Sequence, residues 1–84
     1  MRRIPSFVLL RSFEAAARLE SFTLAAAELH LTPSAISHQV RELEDYFGRA
    51  LFVRRNRRVE PTPEARRLLD SLARVFDVIE AACG

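Results

Sequence analysis

Four polar side chains near the middle of the chain have the types and spacing to bind a ligand by hydrogen bonds: Ser34, Ser37, His38 and Arg41. In a helix, residues at i, i+3, i+4 and i+7 lie on one stripe. Hydroxyl, imidazole and guanidinium groups can all donate to phosphate oxygens and to base edges. The positive end of the helix dipole also favours phosphate there. The alternative interpretation is the solvated polar face of an ordinary surface helix.

The helix that must carry this stripe has both ends marked. Thr32 is a good N-cap, and Pro33 after it is favoured at the first helical position. Gly48 can take the left-handed conformation that ends a helix. The pattern therefore predicts a helix from Pro33 to Phe47. Its core face is expected to contain Ile36, Val40, Leu43 and Phe47.

A shorter helix precedes this one and completes a two-helix unit. Ser21 or Thr23 can cap it, and small residues such as Ala25 and Ala26 allow a neighbouring helix to approach closely. His30, Leu31 and Thr32 then form the turn. Helix-turn-helix proteins read bases with the N-terminal part of the second helix of such a unit. A first helix, opened by Pro5 and Ser6 and running to about Leu19, is expected to pack beneath.

The segment after Gly48 predicts a small β-hairpin, the wing. Two short strands, Leu51 to Arg54 and Arg58 to Pro61, flank a turn in which Asn56 tolerates left-handed backbone. Between Arg49 and Arg67 there are seven arginines against two glutamates, a local charge of +5, while the rest of the chain carries −3. This concentration of charge is typical of nucleic-acid contact. An exposed loop whose arginines only confer solubility is the alternative.

The last helix is predicted from Pro63 to about Ala82, and it carries a heptad pattern. The apolar positions Ala65, Leu68, Leu72, Val75, Ile79 and Ala82 alternate in steps of three and four. Leu69 and Phe76 widen the stripe on one flank. A helix lying along its own domain is the alternative, but a chain of 84 residues offers little body to cover both flanks. We therefore expect a homodimer through Leu68, Leu72, Val75 and Ile79.

Other classes of function are disfavoured by composition. No apolar run reaches the length of a membrane span, and no signal peptide is recognisable, so we expect a cytoplasmic protein without membrane contact. The single cysteine, Cys83, is expected to be incidental. We expect no metal and no cofactor. Catalysis is not expected either, because the side chains of Ser37 and His38 diverge by about 100° on a helix and no carboxylate orients the imidazole.

The segment FEAAARLESFTLAAAELHLTPSAISHQVRELEDYFGRALFVRRNRRVEPT resembles the N-terminal DNA-binding domain of the LysR-type transcriptional regulators. Its TPSAISHQVRELE form is similar to the branch that contains the glycine-cleavage activator and the beta-lactamase regulator. The resemblance implies a mostly α, winged helix-turn-helix fold with a three-helix core and a β-hairpin wing. Residues 1–62 would form this DNA-binding domain, and residues 63–84 the linker helix through which such domains dimerise.

The chain departs from the family's pattern at three positions. Pro33 stands where many members have Gln, which removes one base-reading amide. Arg58 and Ala65 stand where Gly is frequent, at the turn of the wing and at the start of the linker helix. The family's effector-binding domain is expected to be absent from this chain.

The sequence therefore predicts a sequence-specific transcription regulator that binds double-stranded promoter DNA as a homodimer. A winged-helix module for protein–protein interaction is the alternative. The resemblance implies base or phosphate contacts at Pro33, Ser34, Ser37, His38, Arg54 and Arg57. The full set of expected DNA-contacting residues is Thr32, Pro33, Ser34, Ser37, His38, Arg41, Arg54, Arg55, Arg57 and Arg58.

Overall fold

A computed structural model describes residues 4–56 and 58–84 of the chain. Within these residues the fold is mostly α, with four helices and one two-stranded antiparallel hairpin. In chain order the elements are α1 (Phe7–Leu19), α2 (Phe22–Leu29), α3 (Pro33–Phe47), β1 (Phe52–Arg55), β2 (Arg58–Pro61) and α4 (Pro63–Cys83). The predicted winged helix-turn-helix fold is confirmed.

Side-chain caps fix where the helices begin. The Ser21 hydroxyl accepts from the backbone N–H of Leu24 at 3.0 Å, so Ser21, not Thr23, caps α2. The Thr32 hydroxyl accepts from the N–H of Ala35 at 3.1 Å at the start of α3. Thr62 caps α4 in the same way. Because these bonds satisfy donors that have no partner within the helix, each helix starts at a defined residue.

Left-handed residues end the first three helices. Glu20, His30 and Gly48 have φ values of 51°, 59° and 70°. The N–H of Leu31 donates to the carbonyl of Ala26 at 2.8 Å, which closes the turn between α2 and α3. This turn sets the angle between α2 and α3.

Two hydrophobic clusters hold the elements together. One contains Phe13, Ala17, Leu43, Leu51, Ala65 and Leu72, and the other Ala15, Ala16, Ala25, Ala26, Ile36 and Val40. The alanines let α1, α2 and α3 approach closely, since they add little side-chain bulk between the helix axes. Phe52 of β1 packs against both clusters and thereby joins the hairpin to the core.

The end of α3 differs from the prediction. Ile36, Val40 and Leu43 are buried, but Phe47 is 37% exposed and packs edge-on against Tyr46. The expectation that Phe47 belongs to the core is wrong. The physical reason is length, since Leu43 is the last α3 residue in either buried cluster and the final turn of the helix runs on past them.

The wing, now defined as Phe52 to Pro61, forms with a shift of one residue in its first strand. Phe52 pairs with Pro61, and Arg55 pairs with Arg58. Leu51, predicted to begin the strand, is instead a buried core residue just before it. Asn56 is left-handed, with φ of 55°, as its place in the turn requires. Arg57 lies outside the described residues.

The first half of α4 packs on its own domain. Ala65 and Leu72 are buried beside Phe13, and Leu68, Leu69 and Phe76 pack against the same cluster. The expectation that the body is too small to cover both flanks of this helix is therefore wrong, because α1 supplies a matching apolar face. Farther along, Val75, Val78 and Ile79 remain 50%, 68% and 44% exposed.

No described helix combines the length and the apolar character needed to cross a lipid bilayer.

Candidate nucleic-acid interface

The polar stripe of α3 lies on the outer side of the fold. Ser34, His38 and Arg41 are exposed and Ser37 is half-buried, while Ile36, Val40 and Leu43 point into the core. Pro33 is exposed at the start of the same helix. Thr32 is exposed as well, but its hydroxyl already accepts the capping hydrogen bond. The structure thus brings the predicted α3 residues together on a single solvent-facing surface.

His38 has a carboxylate neighbour that the sequence reasoning missed. Its Nε2 lies 3.0 Å from Oε1 of Glu42, one turn farther along α3. The expectation that no carboxylate orients the imidazole is therefore wrong. At this distance the Glu42 carboxylate forms an ion pair with the imidazole when the ring is protonated. The Ser37 side chain still diverges from His38 along the helix, so the pair does not form a nucleophile and base.

Arg54 of the wing faces α3. Its Cζ lies 5.6 Å from the centre of the Phe22 ring, within the range of a cation–π contact. Arg54 and Phe22 line a notch of about 160 Å³ between α3 and the wing, into which Ser37 and Arg41 also project. Glu44 lines the same notch, but its Oε2 accepts from the backbone N–H of Leu51 at 2.9 Å. The notch therefore joins a hydroxyl and two guanidinium groups.

Two further wing arginines, Arg55 and Arg58, have carboxylate neighbours. Nη2 of Arg58 lies 3.1 Å from Oε1 of Glu20 and 3.5 Å from Oε1 of Glu60. Nε of Arg55 is 4.0 Å from Oε2 of Glu60. Arg58 thus ties the wing to the turn between α1 and α2, and part of its charge is balanced there.

Arg41 and Arg54 differ in this respect. Within residues 4–56 and 58–84, no carboxylate oxygen lies within 4.0 Å of either guanidinium. Two positive charges without an ion-pair partner among the described residues therefore flank the notch, which also contains the Glu44 carboxylate.

The helices that present the stripe are tied to α1 by polar contacts as well as by packing. The buried Ser12 hydroxyl donates to Oε1 of Gln39 on α3. Arg18 at the end of α1 binds Glu14 of the same helix at 2.9 Å and also Glu28 of α2. The Arg18 guanidinium lowers the pKa of the Glu28 carboxyl, and the hydrogen bonds to Glu14 and Glu28 raise the pKa of Arg18.

Phe22, Gln39, Glu42 and Glu20 are the site residues that sequence reasoning missed. Glu42 could have been found from its spacing to His38, since i and i+4 are neighbours on a helix. From the sequence, Phe22 is only an apolar residue that follows the N-cap Ser21, which predicts a place in the core and no part in a binding site. Its contact with Arg54 depends on how the wing folds back, which no local pattern predicts.

The described residues were also compared with the requirements of a metal site. No group of three or more His, Cys, Asp or Glu side chains among them is arranged to hold a metal ion.

Comparison with known proteins gives a family match over most of the chain. Residues 7–66 match the family described as bacterial regulatory helix-turn-helix protein, lysR family. The matched range contains α1, α2, α3, the wing and the start of α4.

Several curated regulators are similar in sequence. The HTH-type transcriptional regulator TrpI of Pseudomonas aeruginosa is 49% identical over 98% of this chain. The glycine cleavage system transcriptional activator of Escherichia coli K12 is 43% identical over 96% of the chain. The HTH-type transcriptional activator AmpR of Rhodobacter capsulatus is 50% identical over 83% of it. The chain spans only 28%, 27% and 24% of the lengths of these three relatives.

Solved structures of DNA complexes have the same fold. A complex of the CbnR DNA-binding domain with DNA aligns with a TM-score of 0.82 and 27% identity, over 93% of this chain and 90% of that one. A complex of the BenM DNA-binding domain with its benA site 1 DNA aligns with a TM-score of 0.85 and 28% identity, over 94% and 89% of the two chains.

Proposed function

This chain belongs to the lysR family of bacterial regulatory helix-turn-helix proteins, and we propose that it is the part of a transcription regulator that binds specific sequences of double-stranded DNA. The observation that carries the proposal is the outward polar stripe of α3 beside two arginines, Arg41 and Arg54, that form no ion pair within the described residues. It is supported by the similarity in fold to two domains solved on DNA. The related proteins are named transcriptional regulators, and the chain is not an enzyme.

The stripe on α3 suits the major groove, whose width admits a helix. We infer that Ser34, Ser37 and His38 meet base edges near the N-terminal end of α3, where helix-turn-helix proteins make their base contacts. Arg41 and Arg54 meet phosphate oxygens, because their guanidinium groups flank the notch and have no carboxylate oxygen within 4.0 Å in the described part of the chain. Phosphate contacts position the domain on the duplex, and base contacts select the sequence.

The remaining predicted contacts have different geometries. Thr32 and Pro33 lie at the N-terminus of α3, where backbone dipoles favour a phosphate. Arg55 remains a phosphate contact in this proposal, since its distance to Glu60 is long. Arg58 contributes more weakly, because DNA must compete with Glu20 and Glu60 for it.

Two copies of the chain are proposed to associate through the exposed end of α4. Val75, Val78 and Ile79 present an apolar face there, and burial of such side chains favours association. Two residues of the predicted seam are used within the domain, since Leu72 is buried there and Leu68 packs against the same cluster. We therefore infer that Val75 and Ile79 contribute more to the dimer than Leu72 does.

We propose that residues 1–62 bind DNA and that residues 63–84 form a linker helix, so the two parts differ in function although they pack against each other. Ala65 and Leu72 of α4 pack in the same cluster as Phe13, so the start of the linker helix also stabilises the DNA-binding domain. As part of a bacterial regulator that binds DNA, the chain is proposed to act in the cytoplasm.

The experiment that tests the proposal is a DNA-binding titration at two salt concentrations. If a dimer makes six to ten phosphate contacts, its affinity should fall about a thousandfold or more between about 50 and 200 mM salt. A pool of promoter DNA from the source genome supplies the specific site, and random duplex of equal length is the control. A response that is flat with salt would refute DNA binding and favour the protein-interaction alternative, in which apolar docking depends little on salt.

A further inference from the structure

We propose that Phe22 is a positioning residue for DNA binding, because its ring holds the Arg54 guanidinium beside α3 before DNA arrives. The inference rests on the proposed function and adds a residue that makes no contact with DNA in that proposal. It is carried by a row of aromatic rings that leads from the core to the surface.

The row begins at Phe13, which is fully buried. The rings of Phe13 and Phe52 have centroids 5.6 Å apart. Phe52 in turn meets Phe22 at 5.5 Å with an interplanar angle of 88°, an edge-to-face contact. Arg54 lies over the Phe22 ring at 5.6 Å. Each ring is thus fixed by the one before it, and the last presents a face to the guanidinium.

The alternation of the strand aligns this arrangement. Phe52 and Arg54 are two residues apart in β1, so both side chains leave the same face of the hairpin. When the Phe52 ring enters the core, Arg54 must follow on the side of Phe22 and α3. Arg55 leaves the opposite face and has Glu60 as its neighbour.

The chemistry of the contact leaves the binding groups of Arg54 free. Guanidinium is planar, and a ring beneath it is attracted to its face. Its N–H donors lie in the plane and point outward, so they remain available for phosphate oxygens. Arg54 has no carboxylate within 4.0 Å in the described part of the chain, so the ring is the contact that orients it.

Order before binding raises affinity. A free arginine side chain loses rotamer freedom when it grips a phosphate, and this loss opposes binding. A guanidinium already held over Phe22 loses less. The held position also lies in the notch with Ser37 and Arg41, so the wing and α3 can meet one stretch of duplex together.

The test is a double-mutant cycle on DNA affinity. Phe22→Leu keeps an apolar side chain but removes the ring face. In the chain with Arg54 it should weaken binding about two- to fivefold, the range expected for an exposed cation–π contact. In an Arg54→Ala background it should change nothing further, since the residue through which it acts is gone. In the matched Arg55→Ala background, Phe22→Leu should weaken DNA binding by the same factor as in the parent, because Arg54 is still present.

Two further measurements separate positioning from a structural role. Phe22→Tyr keeps the ring and should bind DNA as the parent does. In the free protein the Phe22 ring should shift the side-chain proton resonances of Arg54 upfield, and those of Arg55 should stay at ordinary values. This measurement needs no variant, so it holds even if Phe22→Leu unfolds.

The outcomes are distinguishable. An equal loss from Phe22→Leu in all three backgrounds, or unshifted Arg54 resonances, would overturn the inference. If Arg54→Ala binds DNA as the parent does, Arg54 makes no contact and the inference fails, although steep salt dependence would leave the proposed function standing. Salt-independent binding by the parent would overturn the proposed function itself.

Discussion

In the proposed function, His38 and Ser37 are the side chains on α3 that select a DNA sequence. Nε2 of His38 lies 3.0 Å from Oε1 of Glu42, and the exposed imidazole has two ring nitrogens that can take part in hydrogen bonds. Ser37 lies at the edge of the notch, where it can reach either a base or a phosphate. Neither carries a permanent charge, so both are suited to selecting a sequence more than to attracting DNA.

The first prediction separates selection from attraction. Replacing Ser37 and His38 together by Ala should reduce the preference for the specific site by about 1–3 kcal/mol for each base that the helix no longer reads, and random DNA should bind nearly as before. The measurement is a competition titration with specific and random duplexes. Arg54→Ala is the control, and it should weaken both duplexes alike. If the double Ala variant loses affinity for both in equal proportion, α3 does not read bases through these residues.

At the scale of elements, a small number of side-chain hydrogen bonds and ion pairs join α1 to α2 and α3. Arg18 joins the end of α1 to Glu28 of α2, and Ser12 joins α1 to Gln39 of α3. The orientation of the stripe depends on these contacts as well as on the buried alanines. The effect of the contact between Arg18 and Glu28 on stability is measurable through its pH dependence.

The second prediction concerns Glu28. The pKa of its carboxyl is below the ordinary value of 4.5 because Arg18 binds the charged form. A lowered pKa in the folded state means that the stabilisation is present above about pH 4.5 and is lost as the pH falls through the folded value. Both side chains are more than two-fifths exposed, so the contribution is about 0.2–1 kcal/mol at most.

Glu28→Gln should therefore have a slightly lower free energy of unfolding than the parent near neutral pH, and this difference should disappear as the pH falls below the lowered pKa of Glu28 in the folded state. Denaturant unfolding at several pH values measures this. Asp45→Asn, an exposed carboxylate on α3, is the matched control for the loss of one negative charge. A difference for Glu28→Gln that persists unchanged at the acid end would contradict the assignment.

The element bounds could be predicted from the sequence wherever the signal was local. Thr32, Pro33 and Gly48 mark α3 by capping chemistry and backbone freedom, and both of its ends are confirmed. Phe47 and Leu72 could not be assigned in this way. Periodicity places a residue on a face of a helix, but whether another element covers that face depends on the lengths and angles of neighbours. For the same reason the contact between Phe22 and Arg54 appears only in three dimensions.

At the scale of the whole molecule, the domain measures 38 × 28 × 20 Å and has two surfaces of different character. One is the polar side with the stripe of α3 and the wing. The other is the apolar end of α4, formed by Val75, Val78 and Ile79. A two-fold dimer through α4 would present two copies of the polar side to one duplex, with half-sites a helical turn or a multiple of it apart.

The third prediction tests the role of α4 with three single variants, each of which introduces one Asp at a different position. Ile79→Asp should yield a folded monomer, because Ile79 is exposed and outside both clusters. Leu72→Asp should instead unfold the domain, since it places a charge beside Phe13 in the core. Ser71→Asp adds the same charge at an exposed polar site and should change neither property. Sedimentation gives the association state and circular dichroism the folding.

The DNA measurement completes this test. Ile79→Asp should bind a palindromic site no more tightly than a single half-site, because its two domains are no longer linked. If Ile79→Asp still sediments as a dimer, α4 is not the contact between the two copies. If the parent protein sediments as a monomer, the proposed dimer does not form at the protein concentration used.

The separation of the two faces of α3 also affects how this domain can evolve. Ile36, Val40 and Leu43 sustain the fold, while Ser34 and His38 project into solvent. Substitutions at such exposed positions usually change stability by less than about 0.5 kcal/mol, whereas truncation in the core costs several times more. If these side chains read bases as proposed, descendants of this sequence can change the DNA site that they bind through substitutions on the outer face, with the scaffold left intact. The same freedom would let an engineer transplant another regulator's target preference by rewriting a few outward side chains.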